Sequence, residues 1–309
     1  MPIVLPMDSA LIITKLSKRY SGANAYALKD LTLQVRPGEV YGFLGPNGSG
    51  KSTTIKTLMN FIQPTGGSAA ILGHDIVKDS VKIKREIGYL SGDGAVYSKM
   101  IGRQYLEYLG ELRPPATKAY RQELAKRLQA TLDEPLGSLS RGNRQKISII
   151  QAFMHQPKML ILDEPSSGLD PLMQEVFYEL INESKARGAA VFMSSHILGE
   201  VQKICDRVGI IRNGELVAER NIAEMTKEAA QTFDLIFKEN APISKLRQLS
   251  SVQKLVENNP HSVTLHVRGE LAPLFALLAQ HTVTNIDTRT LDLEEAFMHY
   301  YQARGDKHV

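Results

Sequence analysis

Short apolar runs near the start of the chain predict β-strands that lead into a helix. Three such runs are LIITKL (11–16), LTLQV (31–35) and EVYGFLG (39–45). The third run enters a glycine-rich loop, and a helix is predicted over Lys51–Phe61. Apolar residues recur there at helical spacing, at Ile55, Leu58, Met59 and Ile62. The pattern therefore predicts a strand, a loop and a helix in immediate succession.

The middle of the chain changes character. From about Ile83 to Leu139, helical patterns such as GRQYLEYLGEL and AYRQELAKRLQATL are broken by Pro114-Pro115, and no strand is expected among them. We expect a helical insert at about 83–140. Beyond it, KMLILDEP (158–165) and AAVFMSSH (189–196) are typical of buried parallel strands that flank a crossover helix over Leu172–Arg187. A hairpin is predicted at Asn213-Gly214.

The last part of the chain is predicted to be a separate small α+β domain, residues 223–309, after a larger α/β domain at 1–222. Its predicted strands are FDLIFK, SVQKLVE, SVTLHV and TNIDTRT, and its predicted helices are ISKLRQL, ELAPLFALLAQ and DLEEAFMHYY. Their order is typical of a split β-α-β arrangement.

Composition narrows the function classes. The 309 residues carry a net charge of +4 and no Lys/Arg block longer than three residues, so a solvated surface is expected and nucleic acid is not an expected partner. Cys205 is the single cysteine, which excludes an internal disulfide and favours a reducing compartment. It is interpreted as a small buried residue, with a reactive thiol as the alternative.

Membrane targeting is not predicted. The first residues, MPIVLPMDSALII, lack a basic region, so no signal peptide is expected. No apolar run reaches the roughly 18 residues of a membrane span. If the chain works at a membrane, another chain must supply the spanning part.

A phosphate-binding loop is the clearest motif. GPNGSGKST (45–53) fits G-x-x-x-x-G-K-[ST], between a predicted strand and a predicted helix. Its backbone N–H groups and the positive end of the helix would bind phosphate oxygens. Lys51 would reach the β- and γ-phosphates, and the Ser52 hydroxyl would bind Mg²⁺. The candidate nucleotide-binding residues are Gly45, Pro46, Asn47, Gly48, Ser49, Gly50, Lys51, Ser52 and Thr53.

Two apolar strands end in residues suited to metal binding and proton transfer. MLILDEP (159–165) ends in Asp163, which would hold Mg²⁺ through water, and Glu164, which could orient or deprotonate an attacking water. His196 ends the second strand. One interpretation is a histidine at the sheet edge whose hydrogen bonds are made within the protein. The alternative is a contact to the γ-phosphate, because the ends of both strands should face the same crevice.

LSRGNRQ (139–145) is a second helix start with a serine and a glycine. Ser140 can cap the helix, and Gly142 allows backbone N–H groups to approach an anion. A chain that already carries a complete phosphate loop thus has a second candidate phosphate site.

Five motifs in order identify a family resemblance. GPNGSGKST, LSRGNRQ, MLILDEP, SSGLDP and SSH, over about residues 10–220, resemble the nucleotide-binding subunit of an ATP-binding-cassette (ABC) transporter. The resemblance implies a P-loop ATPase core with an antiparallel β-subdomain. It also implies that Tyr20 stacks on adenine, that His196 contacts the γ-phosphate and that Asp170 lies at a subunit interface. A half-buried structural role for Tyr20 stays open, since Tyr26 is nearby and equally aromatic.

In this family the LSxGx segment binds the γ-phosphate of ATP held by the other subunit. The resemblance therefore implies that Ser140 and Gly142 serve a second copy of the chain. ATP and Mg²⁺ are the implied cofactors, with hydrolysis in a head-to-tail dimer.

The chain departs from the family pattern at two places. Arg141 and Asn143 replace the commoner glycine and glutamine of the signature. IGYLSGDG has Gly92 where a glutamine that touches Mg²⁺ is usual, with Asp93 next. Asp93 is a candidate Mg²⁺ ligand, and the alternative is a turn residue.

The short inserts, the glutamine substitution and the C-terminal domain resemble the bacterial exporter branch that handles drugs, antibiotics, lipids and polysaccharides. The resemblance implies an ATPase on the cytoplasmic face of the membrane that powers a separate integral membrane permease. Two alternatives stay open: a soluble regulatory or translation-associated ABC protein, and a nucleotide sensor without hydrolysis, which the presence of Glu164 disfavours.

Overall fold

The computed structural model of the chain describes residues 9–92, 97–113, 117–228 and 231–290, with backbone alone at 226–228 and 289–290. Within it the chain divides into two compact units, Met1–Arg220 and Asn221–Val309. Among the residues described, no helix combines the length and the apolar character that crossing a bilayer requires.

The first unit contains two sheets and seven helices within the described residues. Its strands are β1 Leu11–Lys18, β2 Leu28–Val35, β3 Val40–Leu44, β4 Gly66–Ile71, β5 His74–Asp75, β6 Ile87–Leu90, β7 Met159–Asp163, β8 Ala190–Ser195, β9 Arg207–Arg212 and β10 Glu215–Asn221. Its helices are α1 Lys51–Leu58, α2 Ser80–Glu86, α3 Gly102–Glu111, α4 Lys118–Arg127, α5 Arg141–Phe153, α6 Pro171–Ala186 and α7 Leu198–Ile204.

A six-stranded sheet in the order β10-β9-β3-β8-β7-β6 carries the candidate site. From β9 to β6 all neighbours are parallel. Every residue of β3, β7 and β8 is buried, as expected of strands covered on both faces. The carboxyl ends of β3, β7 and β8 therefore meet at one edge of the sheet, where the first strand leads into the glycine-rich loop.

The hairpin prediction is confirmed. β9 and β10 are neighbours joined by Asn213 and Gly214, whose φ angles are 50° and 79°. Two consecutive positive φ angles are the requirement of a type I′ turn.

An antiparallel sheet in the order β2-β1-β4-β5 confirms the predicted β-subdomain. Ile13 and Leu33 from this sheet share a core with Phe43 and Phe192 from the parallel sheet. The Phe192 ring lies 5.3 Å from the Phe43 ring, and both are fully buried. Truncating a phenylalanine in such a core typically costs about 3–5 kcal/mol of stability.

The expectation that no strand interrupts residues 83–139 was wrong. Ile87–Leu90 forms β6 and pairs in parallel with β7, so the helical part begins only at α3. A four-residue apolar run between helical patterns carries no periodicity that separates strand from helix, and its pairing partner lies about 70 residues away. The predicted helix Lys51–Phe61 also ends earlier, at Leu58, because Asn60 takes a φ of 52°.

The second unit confirms the predicted small α+β fold. Its elements are α8 Ile222–Glu228, β11 Gln231–Phe237, α9 Ile243–Arg247, β12 Val252–Asn259, β13 Ser262–Val267, α10 Ala272–Leu278 and β14 Val283–Thr290. The sheet order β12-β13-β11-β14 places β13 between β11 and β12, which is the predicted split β-α-β arrangement. The predicted helix DLEEAFMHYY lies outside the described residues.

Candidate functional site

The glycine-rich loop follows β3 and runs into α1. Gly50, the residue before the helix, has a φ of 114°, and a Cβ there would lie 2.8 Å from the backbone oxygen of Ala27. Only glycine suits that conformation and that contact. The Ser49 hydroxyl is buried and lacks a hydrogen-bond partner among the described residues. The loop thus brings backbone N–H groups and one unpaired hydroxyl to the start of a helix, the arrangement that binds phosphate.

Lys51 is buried in this loop. Its Nζ donates to the backbone oxygens of Gly45 at 2.7 Å and Pro46 at 3.3 Å, and it forms an ion pair with Glu164 Oε1 at 3.2 Å. Only 5% of its side chain is exposed. The ammonium group is therefore held where phosphate oxygens would approach the loop.

Asp163, at the end of β7, lies within hydrogen-bond distance of Ser52, the other predicted metal ligand that the structure describes. Its Oδ1 accepts hydrogen bonds from Ser52 Oγ at 3.3 Å and from Ser194 Oγ at 2.6 Å. In the part of the chain that the structure describes, no group of three or more His, Cys, Asp or Glu side chains forms a metal cage. A cation here would need hydroxyl, water or phosphate oxygens besides the carboxylate, which is how Mg²⁺ is usually held.

Glu164 lies between the lysine and the histidine. Its backbone has a φ of 47°, and its N–H donates to Ser194 Oγ at 3.0 Å. One carboxylate oxygen faces Lys51, and the other, Oε2, lies 2.6 Å from His196 Nδ1. A positive φ outside glycine costs free energy and tends to occur at functional sites. The structure therefore brings Glu164 and His196 into direct contact, although 32 residues separate them.

Tyr20 reaches the same region from the end of β1. Its hydroxyl lies 3.5 Å from Thr53 Oγ1, and its ring is 44% exposed with Lys18 Nζ 5.4 Å from the centroid. Tyr26 is equally exposed, at 45%, and its ring contacts Arg19. Of the two aromatic candidates in the described structure, Tyr20 has a polar contact with α1, the helix that follows the phosphate loop.

The second helix start is built as predicted. Ser140 caps α5, and its hydroxyl accepts from the backbone N–H of Asn143 at 3.2 Å. The Asn143 side chain in turn accepts from the Thr131 N–H at 2.8 Å and donates to the Thr131 oxygen at 2.9 Å. Ser140 and Arg141 are exposed, so the first turn of α5 is accessible to an anion.

The first turn of α5 also contacts the loop after β7. Arg141 donates to Ser167 Oγ at 2.8 Å, and the buried Gln145 amide donates to the Pro165 oxygen at 2.6 Å. A Cβ on Gly142 would lie 2.8 Å from the Gly168 oxygen, so this close approach requires glycine. These contacts attach the start of α5 to the segment that follows Asp163 and Glu164.

Asp170 has a structural role that the sequence analysis missed. Its Oδ1 accepts from the Met173 N–H at 3.0 Å, so it caps α6, and Pro171 follows at the first helical position. The signal was readable in the sequence, since an aspartate followed by proline before an apolar periodic run is a helix start. The residue is exposed, and capping leaves its second carboxylate oxygen available.

The structure describes Gly92 but not Asp93. A Cβ on Gly92 would lie 3.3 Å from the Asp163 backbone oxygen, so Gly92 is adjacent to the predicted metal site. Asp93 lies outside the described residues, and its proposed ligation stays a prediction.

The sequence analysis also missed the serine pair before His196. Ser194 donates to Asp163, and Ser195 donates to Glu200 Oε2 at 2.6 Å. The available signal was two hydroxyls at the end of an apolar strand, where side chains alternate between the two faces.

Comparison with known proteins agrees with this geometry. A family profile described as "ABC transporter" matches residues 28–167. The chain is 29% identical to YhcH of Bacillus subtilis (strain 168), an uncharacterized ABC transporter ATP-binding protein, over 297 residues that cover 94% of this chain and 96% of YhcH. It is 35% identical to the bacitracin transport ATP-binding protein BcrA of Bacillus licheniformis, over 69% of this chain and 70% of BcrA.

A solved structure of the ATP-binding subunit of an ABC transporter superposes with a TM-score of 0.65 at 29% identity, covering 71% of this chain and 92% of that one. The P-loop fold, the ordered motifs and these similarities lead to one conclusion: the chain belongs to the ATP-binding subunits of ABC transporters, which bind and hydrolyse ATP.

Proposed function

We propose that the chain hydrolyses Mg²⁺-bound ATP in a head-to-tail dimer of two copies and thereby powers export through a separate integral membrane permease. One observation carries this proposal. Lys51, Asp163, Glu164 and His196 converge at one sheet edge, whereas Ser140 begins another helix with its own exposed N-terminus.

The phosphate loop would hold the triphosphate. Its N–H groups and the Ser49 hydroxyl supply donors, and Lys51 supplies the buried cation that faces the β- and γ-phosphates. The contact between Tyr20 and Thr53 supports Tyr20 as the residue that stacks on adenine.

Ser52 and Asp163 would hold Mg²⁺. A hydroxyl and a buried carboxylate already within hydrogen-bond distance are hard oxygen ligands of the kind this cation prefers, so the residues fit the ion. When bound, Mg²⁺ would neutralise charge on the phosphate oxygens. Ser194 holds the Asp163 carboxylate in place from the side of β8.

Glu164 would orient the attacking water and accept its proton. Its contact with His196 Nδ1 fixes the carboxylate and leaves the other ring nitrogen of His196 for a γ-phosphate oxygen. His196 is 48% exposed, so it can reach a ligand outside the sheet edge.

Ser140 and Gly142 would bind the γ-phosphate of ATP on the partner subunit, with Asp170 at the same interface. The accessible first turn of α5 supports this role, because a helix N-terminus attracts anions. Each protomer then contributes one half to each of two sites, which requires a head-to-tail dimer.

The relatives support the proposed export and the proposed permease. The chain resembles a bacitracin transport protein over most of its own ATPase unit, and the structure describes no membrane-spanning helix of its own. The proposed location is therefore the cytoplasmic face of the membrane, bound to the permease. The soluble alternative would require a partner other than a membrane protein, and nucleic acid is not proposed as a partner.

The dimer is tested by distributing two substitutions in two ways. Lys51→Ala chains mixed with Ser140→Arg chains form heterodimers with one intact site. Wild-type chains mixed with the Lys51→Ala/Ser140→Arg double variant form heterodimers with two damaged sites. Each heterodimer is purified by two affinity tags, one on each chain. The first should hydrolyse ATP, and the second should have almost no ATPase activity. The reverse order of activities would show that each chain contains a complete site.

A further inference from the structure

Glu200, on α7, is a buried carboxyl beneath the proposed catalytic edge. Only 5% of the residue is exposed. Its Oε2 accepts from Ser195 Oγ at 2.6 Å, and its Oε1 is also buried. Removing a carboxyl group from water is costly, and an apolar side chain in this position would avoid that cost. A buried acid next to a catalytic edge therefore indicates a role other than stability.

The bond from Glu200 reaches His196 through one hydroxyl. Ser195 Oγ donates to Glu200 and accepts from the backbone N–H of Ile197 at 3.0 Å. Ser195 and Ile197 are the two neighbours of His196 in the chain. The Ser195 hydroxyl thus bridges α7 to the turn that carries His196. Ser194, which donates to Asp163 at the end of β7, lies on the opposite face of β8.

We infer that Glu200 is a positioning residue, which acts through Ser195 to hold the His196 ring against Glu164. The inference rests on the proposed function of His196 in ATP hydrolysis. It requires an acceptor at position 200 and a hydroxyl at position 195, and it requires no contact between either residue and nucleotide.

The acceptor role of Glu200 rests on the bond from Ser195, and burial dominates the electrostatics of its carboxyl. Burial raises the pKa of its carboxyl, and the nearby charge of Glu164 adds to that effect, while the hydroxyls of Ser195 and Ser166 and the His196 ring lower it. Within the described residues, Tyr178 and Cys205 also interact electrostatically with it. A glutamine keeps an oxygen acceptor in a side chain of the same shape, so it should replace the glutamate with little loss.

The test measures kcat and KM for ATP in variants that break or keep the bond. Ser195→Ala and Glu200→Leu should lower kcat by about tenfold, the factor that corresponds to one lost hydrogen bond, and change KM for ATP less than about twofold. Ser195→Thr and Glu200→Gln should retain the wild-type kcat. Ser184→Ala is the matched control, because it deletes a buried hydroxyl on α6 that donates to the Leu180 oxygen and accepts from Arg187, and in the described structure it has no bond to β8 or α7.

The decisive comparison repeats these substitutions in a His196→Ala background. Phosphate release is followed for hours, and the rate of the Lys51→Ala variant is subtracted as the baseline. There, Ser195→Ala should cause no further loss, because the histidine it positions is absent. A further tenfold loss in that background, or failure of both Ser195→Thr and Glu200→Gln to retain kcat, would overturn the inference.

Two further measurements keep the outcomes distinct. An unchanged kcat in His196→Ala alone would refute the proposed role of His196 and not merely that of Glu200. Should thermal unfolding show that Ser195→Ala is not folded, Ser195→Cys replaces it, since a thiol of similar size is a weak donor. An undiminished kcat in the cysteine variant would count against the inference.

Discussion

Lys51 Nζ and Glu164 Oε1 lie 3.2 Å apart, so the cation of the phosphate loop is paired with the acid at the end of β7. Phosphate oxygens that approach Lys51 compete with this carboxylate for the same ammonium group. In the proposed mechanism, this ion pair would couple binding of the triphosphate to release of Glu164 toward the attacking water. The first two predictions concern its two members.

Lys51→Ala should abolish ATP hydrolysis and weaken ATP binding, because it removes the buried cation that faces the β- and γ-phosphates. The measurement is steady-state phosphate release together with a nucleotide titration. Lys56→Ala, at an exposed position of the same helix α1, is the matched control and should behave as wild type. Wild-type hydrolysis by Lys51→Ala would refute the site.

Glu164→Gln should slow hydrolysis by about a hundredfold or more while ATP binding persists, because an amide cannot accept the proton of the attacking water. Affinity for ATP should rise, since Lys51 no longer pairs with a carboxylate. ATP should then trap a dimer that light scattering detects, whereas Glu179→Gln, at a 65% exposed side chain, should not. A variant that binds ATP and stays monomeric would contradict the shared sites.

Gly92→Gln should lower the Mg²⁺ concentration needed for the half-maximal rate, because it adds an amide oxygen next to Asp163. The matched control is Gly92→Ala, which adds the Cβ alone at 3.3 Å from the Asp163 oxygen. A Mg²⁺ titration of both variants separates the oxygen from the steric effect. Identical titrations would show that residue 92 does not face the metal.

We predict that the permease docks on the helical insert near Tyr97, with Val96, Tyr97 and Met100 as candidate contacts. Tyr97 is 62% exposed, Met100 is half-buried, and Val96 lies outside the described residues. Tyr97→Cys, carrying a photocrosslinker, should label a polytopic membrane protein in membranes from the native cell. Burial raises the pKa of the Cys205 thiol, so the native cysteine should add little labelling.

The control for that experiment is Asn240→Cys, at an exposed residue between β11 and α9 of the second unit. It should not label the same membrane protein. Exclusive labelling of ribosomal proteins by Tyr97→Cys would favour the soluble alternative.

His155 should make the protein less stable as the pH falls. Burial, with Arg113 nearby, lowers the pKa of His155 from 6.5 to about 4, and the bond to the Ile87 oxygen opposes this only in part. Between pH 6.5 and about pH 4, His155 is protonated in the unfolded chain and neutral in the folded chain. The free energy of unfolding therefore decreases as the pH falls through this range. This amounts to about 2 kcal/mol between pH 7 and pH 5.

Urea unfolding at both pH values measures that loss. His155→Gln should remove most of it, because the amide does not titrate. His261→Gln, at an exposed position in the second unit, controls for deleting an imidazole. Equal losses in His155→Gln and the wild-type chain would refute the prediction.

Features that depend on neighbouring residues were predicted well from the sequence. The phosphate-loop motif is nine consecutive residues that run from the end of β3 into α1, the hairpin turn is one dipeptide, and the Ser140 cap bonds a residue three positions on. Each follows from backbone conformations that glycine, asparagine and serine favour locally. Fold class and family therefore followed from the ordered motifs.

Features that depend on distant partners were missed. β6 is a strand because β7 pairs with it, and β4 forms from a segment that begins with two glycines because β1 lies beside it. Ser194 and Glu200 acquire roles only when β8 is placed between the acidic strand end and α7. Two hydroxyls at the end of an apolar strand mark Ser194 and Ser195 in the sequence, but no local pattern shows which residues they bond, and none distinguishes Glu200 from an ordinary polar residue.

The sequence by itself determined which groups are candidates for the site, since each of them occurs in a motif of consecutive residues: Lys51, Asp163, Glu164, His196 and Ser140. Only the tertiary structure decided how those groups meet. The ion pair of Lys51 with Glu164, the contact of Glu164 with His196 and the bond of Ser194 to Asp163 join residues 113, 32 and 31 positions apart. The physical reason is that parallel strands, joined by crossover helices, bring their carboxyl ends together only when the whole sheet is assembled.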